Sequence, residues 1–73
     1  MFMISFVESR KSDRSVHSEK FEGSALADAL LQARISFNNI HLAVPPSPWH
    51  SDVIGFIIYD DDGREVAREY PAG

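Results

Sequence analysis

The chain contains no cysteine among its 73 residues. A disulfide scaffold, a cysteine-based zinc finger and thiol catalysis are therefore excluded. No apolar run approaches the roughly 20 residues that a membrane-spanning helix needs, so we expect no membrane segment. The apolar stretch at residues 2–7 has no basic residues before it, unlike a signal peptide, and we expect a cytoplasmic protein.

Basic residues are also scarce, since 7 Lys and Arg face 11 Asp and Glu, for a formal net charge of −4. The excess is local: residues 1–37 balance, whereas residues 38–73 hold six acidic and two basic residues. An acidic surface repels nucleic acid and attracts basic proteins. We therefore expect no direct nucleic-acid binding and a protein partner with a basic surface.

The short length provides material for one small domain, covering residues 1–73. Such a chain buries only about 60% of the surface that its unfolded form exposes. It has little left with which to wall a catalytic pocket and support it. Size therefore favours a binding role over an enzyme, and it gives no reason to expect a cofactor.

Alternating apolar residues predict a strand at residues 2–7 and a weaker one at residues 15–22. In the second, Val16 and Phe21 have opposite parity, so either a bulge intervenes or only one of them is buried. Residues 53–59 have the β-branched and aromatic content of a central strand. A turn at residues 60–63 and an exposed strand at residues 64–70 follow, and residues 40–44 allow a short additional strand.

Residues 25–37 are rich in Ala and Leu and predict a helix. Residues 38–39 are both Asn, which tolerates the left-handed conformation, so we expect the helix to end there. Together these elements predict an α+β fold: a small antiparallel sheet of four to five strands with one helix packed on one face, in the order β-β-α-(β)-β-β. The apolar stripe of the helix is predicted at Leu26, Leu30, Ala33 and Phe37, widened by Leu31 and Ile35.

The C-terminal hairpin has two candidate registers. A two-residue loop at residues 62–63 places Ile58 opposite Ala67, whereas a three-residue loop with Gly63 in the left-handed position places Ile58 opposite Val66. We prefer the second, because burying the apolar face that it gathers removes the most apolar area from water. That face contains Ile54, Phe56, Ile58, Val66 and Tyr70.

Histidine is the residue type that could hold a metal here, at His17, His41 and His50. A zinc site needs three or four ligands with short paired spacings, and His50 with Asp52 is the single such pair. The sequence therefore predicts no metal site and no catalytic residue. The sequence also allows an alternative function, that of an enzyme or a metal-dependent protein that uses His41, His50 or Asp52.

Residues 60–63 resemble the start of a calcium-binding loop, which requires a bidentate Glu at its twelfth position. Counted from Asp60, that position is Pro71, so the motif fails and a hairpin turn accounts for the residues. Three adjacent carboxylates repel one another, and that cost points to a role in recognition.

Residues 45–49, Pro-Pro-Ser-Pro-Trp, form the most distinctive stretch. They match the PxxP pattern that docks into aromatic grooves, and they equally suit a rigid connection between two strands. The neighbouring Trp either packs against the core or serves as an interface anchor. The candidate partner-binding residues are Trp49, Asp60, Asp61, Asp62 and Glu65.

Residues 23–34 resemble the strand-to-helix stretch of HicB-type antitoxins, with a Gly followed by Leu, an acidic residue, Ala-Leu and Ala. The Pro/Gly/Cys segment that precedes this stretch in that family is missing here. In size, acidity and strand–helix–strand layout the chain is similar to small phage-encoded viral inhibitors, including anti-CRISPR proteins, although it shares no motif with them. The sequence therefore assigns the chain to no family.

These observations predict a small, acidic, non-enzymatic protein-binding module. As an inhibitor or regulator, it would block a basic surface of its partner, such as one that binds nucleic acid. The alternative is a structural homodimer that pairs through an edge strand, either residues 15–22 or residues 64–70, or an antitoxin-like regulator.

Overall fold

The computed structural model describes residues 1–42 and 53–72 (for residues 40–42 the backbone alone). Its strands form one antiparallel sheet in the order β2-β1-β3-β4, and the helix packs on the two central strands. This confirms the α+β fold expected from the sequence, with four strands among the described residues. The elements are β1 (Phe2–Val7), β2 (Ser15–Phe21), α1 (Leu26–Leu42), β3 (Gly55–Tyr59) and β4 (Glu65–Glu69).

The core lies between α1 and one face of the sheet. Directly paired residues of neighbouring strands share a face, and the pairing of Ile4 with Ile58 and of Phe6 with Phe56 puts these four side chains under the helix. The rings of Phe6 and Phe56 meet edge to face, with centroids 6.3 Å apart. The buried members of this core are Ile4, Phe6, Ala29, Ala33, Phe37, Val53, Phe56 and Ile58.

Helix α1 extends further than expected, to Leu42. The prediction that the helix ends at residues 38–39 is wrong. Among the described residues, Gly63 is the residue that has a positive φ. The two Asn residues therefore continue the helix instead of adopting the left-handed conformation that ends one. Residues 40–42 are helical, so the additional strand is wrong there, and residues 43–44 lie outside the described residues.

Two apolar side chains expected in the core lie outside it. Leu31 is 56% exposed and Ile35 45% exposed. The residues that face the sheet include Ala29 and Ala33, whose small side chains let the helix backbone lie close to the strands. A helix packed in this way buries a narrow stripe, so residues on its flank stay in solvent.

Strand β2 contains the bulge that the parity of its apolar residues suggested. Its pairing with β1 shifts between Phe6, which pairs with His17, and Val7, which pairs with Ser15, so Val16 is the extra residue. Both Val16 and Phe21 pack against the core. The bulge therefore resolves their opposite parity and buries part of each.

The C-terminal hairpin has the expected turn but a different register along its strands. Gly63 has a φ of 79°, as a three-residue loop requires, and the pairing of Tyr59 with Glu65 continues from that loop. A bulge then shifts the register, and Ile58 pairs with Ala67 instead of Val66. The preferred register is wrong beyond this bulge, because the shift places Glu69 opposite Phe56, where Arg34 of the helix pairs with its carboxylate.

The bulge has two consequences for the faces of the sheet. Val66 lies at the surface, 36% exposed, whereas Ala67 packs against the core. Arg68 pairs with Ile57 and so lies on the face opposite the helix, which we call the open face.

No helix in the described part of the chain is long and apolar enough to cross a membrane.

Candidate functional site: the acidic turn and the open face

The acidic turn, residues 60–63, joins β3 to β4. The Asp60 carbonyl accepts a hydrogen bond from the Gly63 amide at 3.0 Å, and the Asp60 amide donates to the Arg64 carbonyl at 2.9 Å. The Asp60 carboxylate also accepts from the amides of Asp62 and Arg64, each at 2.9 Å. One carboxylate of the predicted acidic site therefore holds the backbone of the turn in place.

The other two carboxylates of the turn point to solvent. Asp61 has a side chain 67% exposed, and its Oδ2 lies 3.4 Å from the amino group of Met1. Asp62 is exposed as well. The turn thus presents two carboxylates on a backbone that the third one fixes.

Glu65, the fourth acidic residue of the predicted site, is already engaged. Its carboxylate accepts two hydrogen bonds from the Arg68 guanidinium, from Nε at 3.1 Å and from Nη2 at 2.5 Å. Parallel hydrogen bonds of this kind fix both side chains. Glu65 is therefore less available to a partner than Asp61 or Asp62.

Arg68 is the centre of a polar cluster on the open face that sequence reasoning missed. Its Nη1 donates to the Tyr70 hydroxyl at 2.7 Å and lies 3.0 Å from Asp13 of the β1–β2 loop, residues 8–14. Arg10 of the same loop lies over the Tyr70 ring, 4.7 Å from its centroid. No local sequence pattern predicts this cluster, because the β1–β2 loop and β4 are distant in sequence. The bulge in β4 places Arg68 on the open face, where it contacts this loop.

The loop covers part of the open face, and Ser5, Val7 and Ile57 of that face are buried. Tyr59, beside them, has a raised pKa: burial of its hydroxyl is the main cause, followed by the negative charges of Asp13 and Glu65. The carboxylates of Asp13 and Glu65 are therefore the acidic groups that influence the Tyr59 hydroxyl on the open face.

A cleft of 280 Å³ separates the C-terminal half of α1 from β4. An ion pair crosses it, since Arg34 donates from Nε and Nη2 to the two carboxylate oxygens of Glu69, at 3.0 and 2.5 Å. These hydrogen bonds hold the pKa of Glu69 below its ordinary value. The cleft is lined by Arg34, Phe37, Asn38, Glu69 and Pro71.

Several candidates named from the sequence lie outside the described residues. These are Trp49, the proline-rich residues 45–48, and His50 and Asp52, so their roles stay predictions. The ring of His17 stacks on Phe6 with centroids 5.9 Å apart. Within residues 1–42 and 53–72, no group of three or more His, Asp or Glu side chains is arranged to hold a metal ion.

Comparison of the chain with protein-family models, with curated protein sequences and with solved structures gives no match. The residues of the chain and their arrangement are therefore the basis on which its function is proposed.

Proposed function

We propose that this protein is a non-enzymatic binding module that presents the acidic turn to a basic surface of a partner protein. The observation that supports this proposal most is that the three aspartates of the turn have different roles. Asp60 uses its carboxylate to fix the backbone, and Asp61 and Asp62 project from it. A fixed turn loses little conformational entropy on binding, which favours recognition.

The distribution of charge supports the same proposal. Six of the eleven acidic residues belong to residues 38–73. The field of these charges accelerates encounter with a basic protein and disfavours nucleic acid.

The proposed mechanism is steric and electrostatic blockade. By covering basic side chains with carboxylates, the module would compete with nucleic acid for a nucleic-acid-binding groove, as an anti-CRISPR-like or other phage-type viral inhibitor would. This activity needs neither a cofactor nor a metal, and we propose that it takes place in the cytoplasm.

Affinity capture from a bacterial lysate, with and without nuclease, is the experiment that identifies the partner. A protein retained under both conditions supports the proposal. Retention that is lost after nuclease treatment would contradict the proposal. The loop at residues 10–14, which contains three basic side chains, would then be the segment to mutate.

The captured partner then allows a charge test. Asp61→Asn/Asp62→Asn should weaken binding by at least about tenfold and reduce its dependence on salt, because two steering charges are lost. The control is Glu8→Gln/Glu22→Gln, which removes two exposed charges elsewhere and leaves the turn intact. Equal effects of the two double variants would show that net charge, and not the turn, governs binding.

A further inference from the structure

The open face is covered in layers at the end of β1 from which the β1–β2 loop departs. Val7 pairs there with Gly55, and a Cβ on Gly55 would lie 2.7 Å from Cδ1 of Tyr70, so the Tyr70 ring rests where glycine has no side chain. The Arg10 guanidinium lies over that ring, 4.7 Å from its centroid. Val7, beside them, is fully buried. We call the Tyr70 ring and the β1–β2 loop together the cover.

One nitrogen of Arg68 is attached to both parts of the cover. Its Nη1 donates to the Tyr70 hydroxyl at 2.7 Å and lies 3.0 Å from Asp13 Oδ1 in the loop. The Nε and Nη2 atoms of the same guanidinium donate to the Glu65 carboxylate, at 3.1 and 2.5 Å. Arg68 therefore connects Glu65, which lies two residues after the acidic turn, with the cover near the other end of the hairpin.

Glu65 sets the direction in which Arg68 Nη1 points. A guanidinium is planar, so two parallel hydrogen bonds to Nε and Nη2 fix the orientation of the third nitrogen. Fixing a long, flexible side chain costs conformational entropy, and Glu65 already bears that cost. The pair with Asp13 is too exposed to bear it alone, since the Asp13 side chain is 58% exposed. Closure of the cover therefore depends on the contact between Glu65 and Arg68.

We propose that Glu65 is a positioning residue that keeps the cover closed, and that a basic side chain that binds its carboxylate opens the cover. In the free protein Glu65 is engaged, so such a cation acts by displacing Arg68. Opening uncovers the apolar surface around Val7 on the open face. The second part rests on the proposed function, because the neighbouring acidic turn is what brings the cation to Glu65; the role of Glu65 in the free protein does not.

Labelling of an introduced thiol measures the opening, since the natural chain has no cysteine. Val7→Cys places a thiol beneath the cover, and Ile58→Cys places one under the helix, where global unfolding is needed to expose it. Cysteine is a small apolar side chain that suits both buried positions. The labelling rate at each position reports the population of the form in which that thiol is exposed.

Glu65→Gln should raise the labelling rate at Val7→Cys at least about threefold relative to that at Ile58→Cys. The matched control, Asp62→Asn, removes an exposed carboxylate of the turn and should change this ratio by less than about 1.5-fold. In an Arg68→Ala background Glu65→Gln should have no further effect, because it acts through that arginine. An unchanged ratio, a control effect as large, or an effect that persists without Arg68 would overturn the role of Glu65. Tryptic cleavage after Lys11 of the loop should rank the same variants identically in chains without a cysteine.

A hexa-arginine peptide is the probe for opening by a cation. At a concentration that saturates its binding, measured by calorimetry, the peptide should raise the labelling rate at Val7→Cys about threefold, and should have no such effect once Glu65→Gln is present. A peptide that binds without raising that rate would overturn the opening by a cation. A peptide that does not bind would count against the proposed function, and the variants of the free chain would still decide the role of Glu65.

Discussion

Asp13 and Arg68 form an ion pair of 3.0 Å that fastens the β1–β2 loop to the far side of the sheet. The loop leaves the sheet beside β1, and Arg68 belongs to edge strand β4 on the other side of β3. The contact therefore draws the loop across the open face. Arg10 reinforces it by lying over the Tyr70 ring.

Arg68→Ala should lower the free energy of unfolding by about 1 kcal/mol. The substitution removes hydrogen bonds to Glu65 and Tyr70 as well as the pair with Asp13. Urea denaturation measures the change. Arg64→Ala is the matched control in the same hairpin and should stay within about 0.5 kcal/mol of the natural chain. A loss that is no larger for Arg68→Ala would show that the cluster does not stabilise the fold.

Asp13→Asn should lower the pKa of Tyr59. Burial keeps that pKa above the ordinary value, but the contribution of the Asp13 charge disappears. Absorbance of the tyrosinate on alkaline titration reports it, in a Tyr70→Phe background that leaves Tyr59 as the single tyrosine.

The sign of the linked stability follows from the raised pKa. The folded state keeps the Tyr59 proton longer than the unfolded state, so this contribution is complete below about pH 10 and is lost as pH rises through the folded pKa. A Tyr59 titration that is identical with and without the Asp13 charge would contradict the placement of the loop.

The pair between Arg34 and Glu69 should make stability depend on pH in the acidic range. The pKa of Glu69 is lowered in the folded state, chiefly by its hydrogen bonds with Arg34. Its contribution is therefore present above the unfolded pKa of about 4.3 and is lost as pH falls through the folded value. Glu69→Gln should be less stable than the natural chain at neutral pH, and the two should converge as pH falls below the folded pKa of Glu69. A difference that persists in acid would assign the effect to packing.

Gly55→Ala should destabilise the protein by about 3 kcal/mol. A Cβ at this position would meet the Glu69 carbonyl oxygen and would lie 2.8 Å from the Cα of Tyr70, so backbone would have to move. Gly63→Ala is the comparison, because a Cβ there meets nothing within 4 Å and the cost is that of a positive φ, about 1 kcal/mol. Thermal or urea unfolding should rank the two in this order, and the reverse order would contradict the close approach of β3 and β4.

Sequence patterns predicted the elements whose structure depends on residues that are close in the sequence. Strand β1 alternates cleanly and pairs on both sides, and the Gly63 turn forms as its sequence requires. The position of Val66 could not be predicted in this way. Its burial was expected from apolar area alone, but the bulge that exposes it is favoured by the placement of Arg68, a residue whose partner Asp13 lies in a different hairpin.

For the acidic site, too, the sequence predicts one part and not another. The sequence identifies the carboxylates of residues 60–62 and 65 but not which of them are available. Asp60 is engaged with backbone amides and Glu65 with Arg68, which leaves Asp62 and also Asp61, whose one contact given by the structure is with the Met1 amino group at 3.4 Å. This division depends on hydrogen-bond geometry, which composition does not contain.

The fastening of the β1–β2 loop also bears on the order in which the chain folds. The β1–β2 hairpin is local in sequence and can pair early, whereas the partners of its loop, Arg68 and Tyr70, lie near the other end of the chain. The loop therefore becomes ordered only after β4 joins the sheet. Substitutions at Asp13 should accelerate unfolding and leave the folding rate nearly unchanged, which places the loop of a sequence-local hairpin among the last parts of the molecule to be completed.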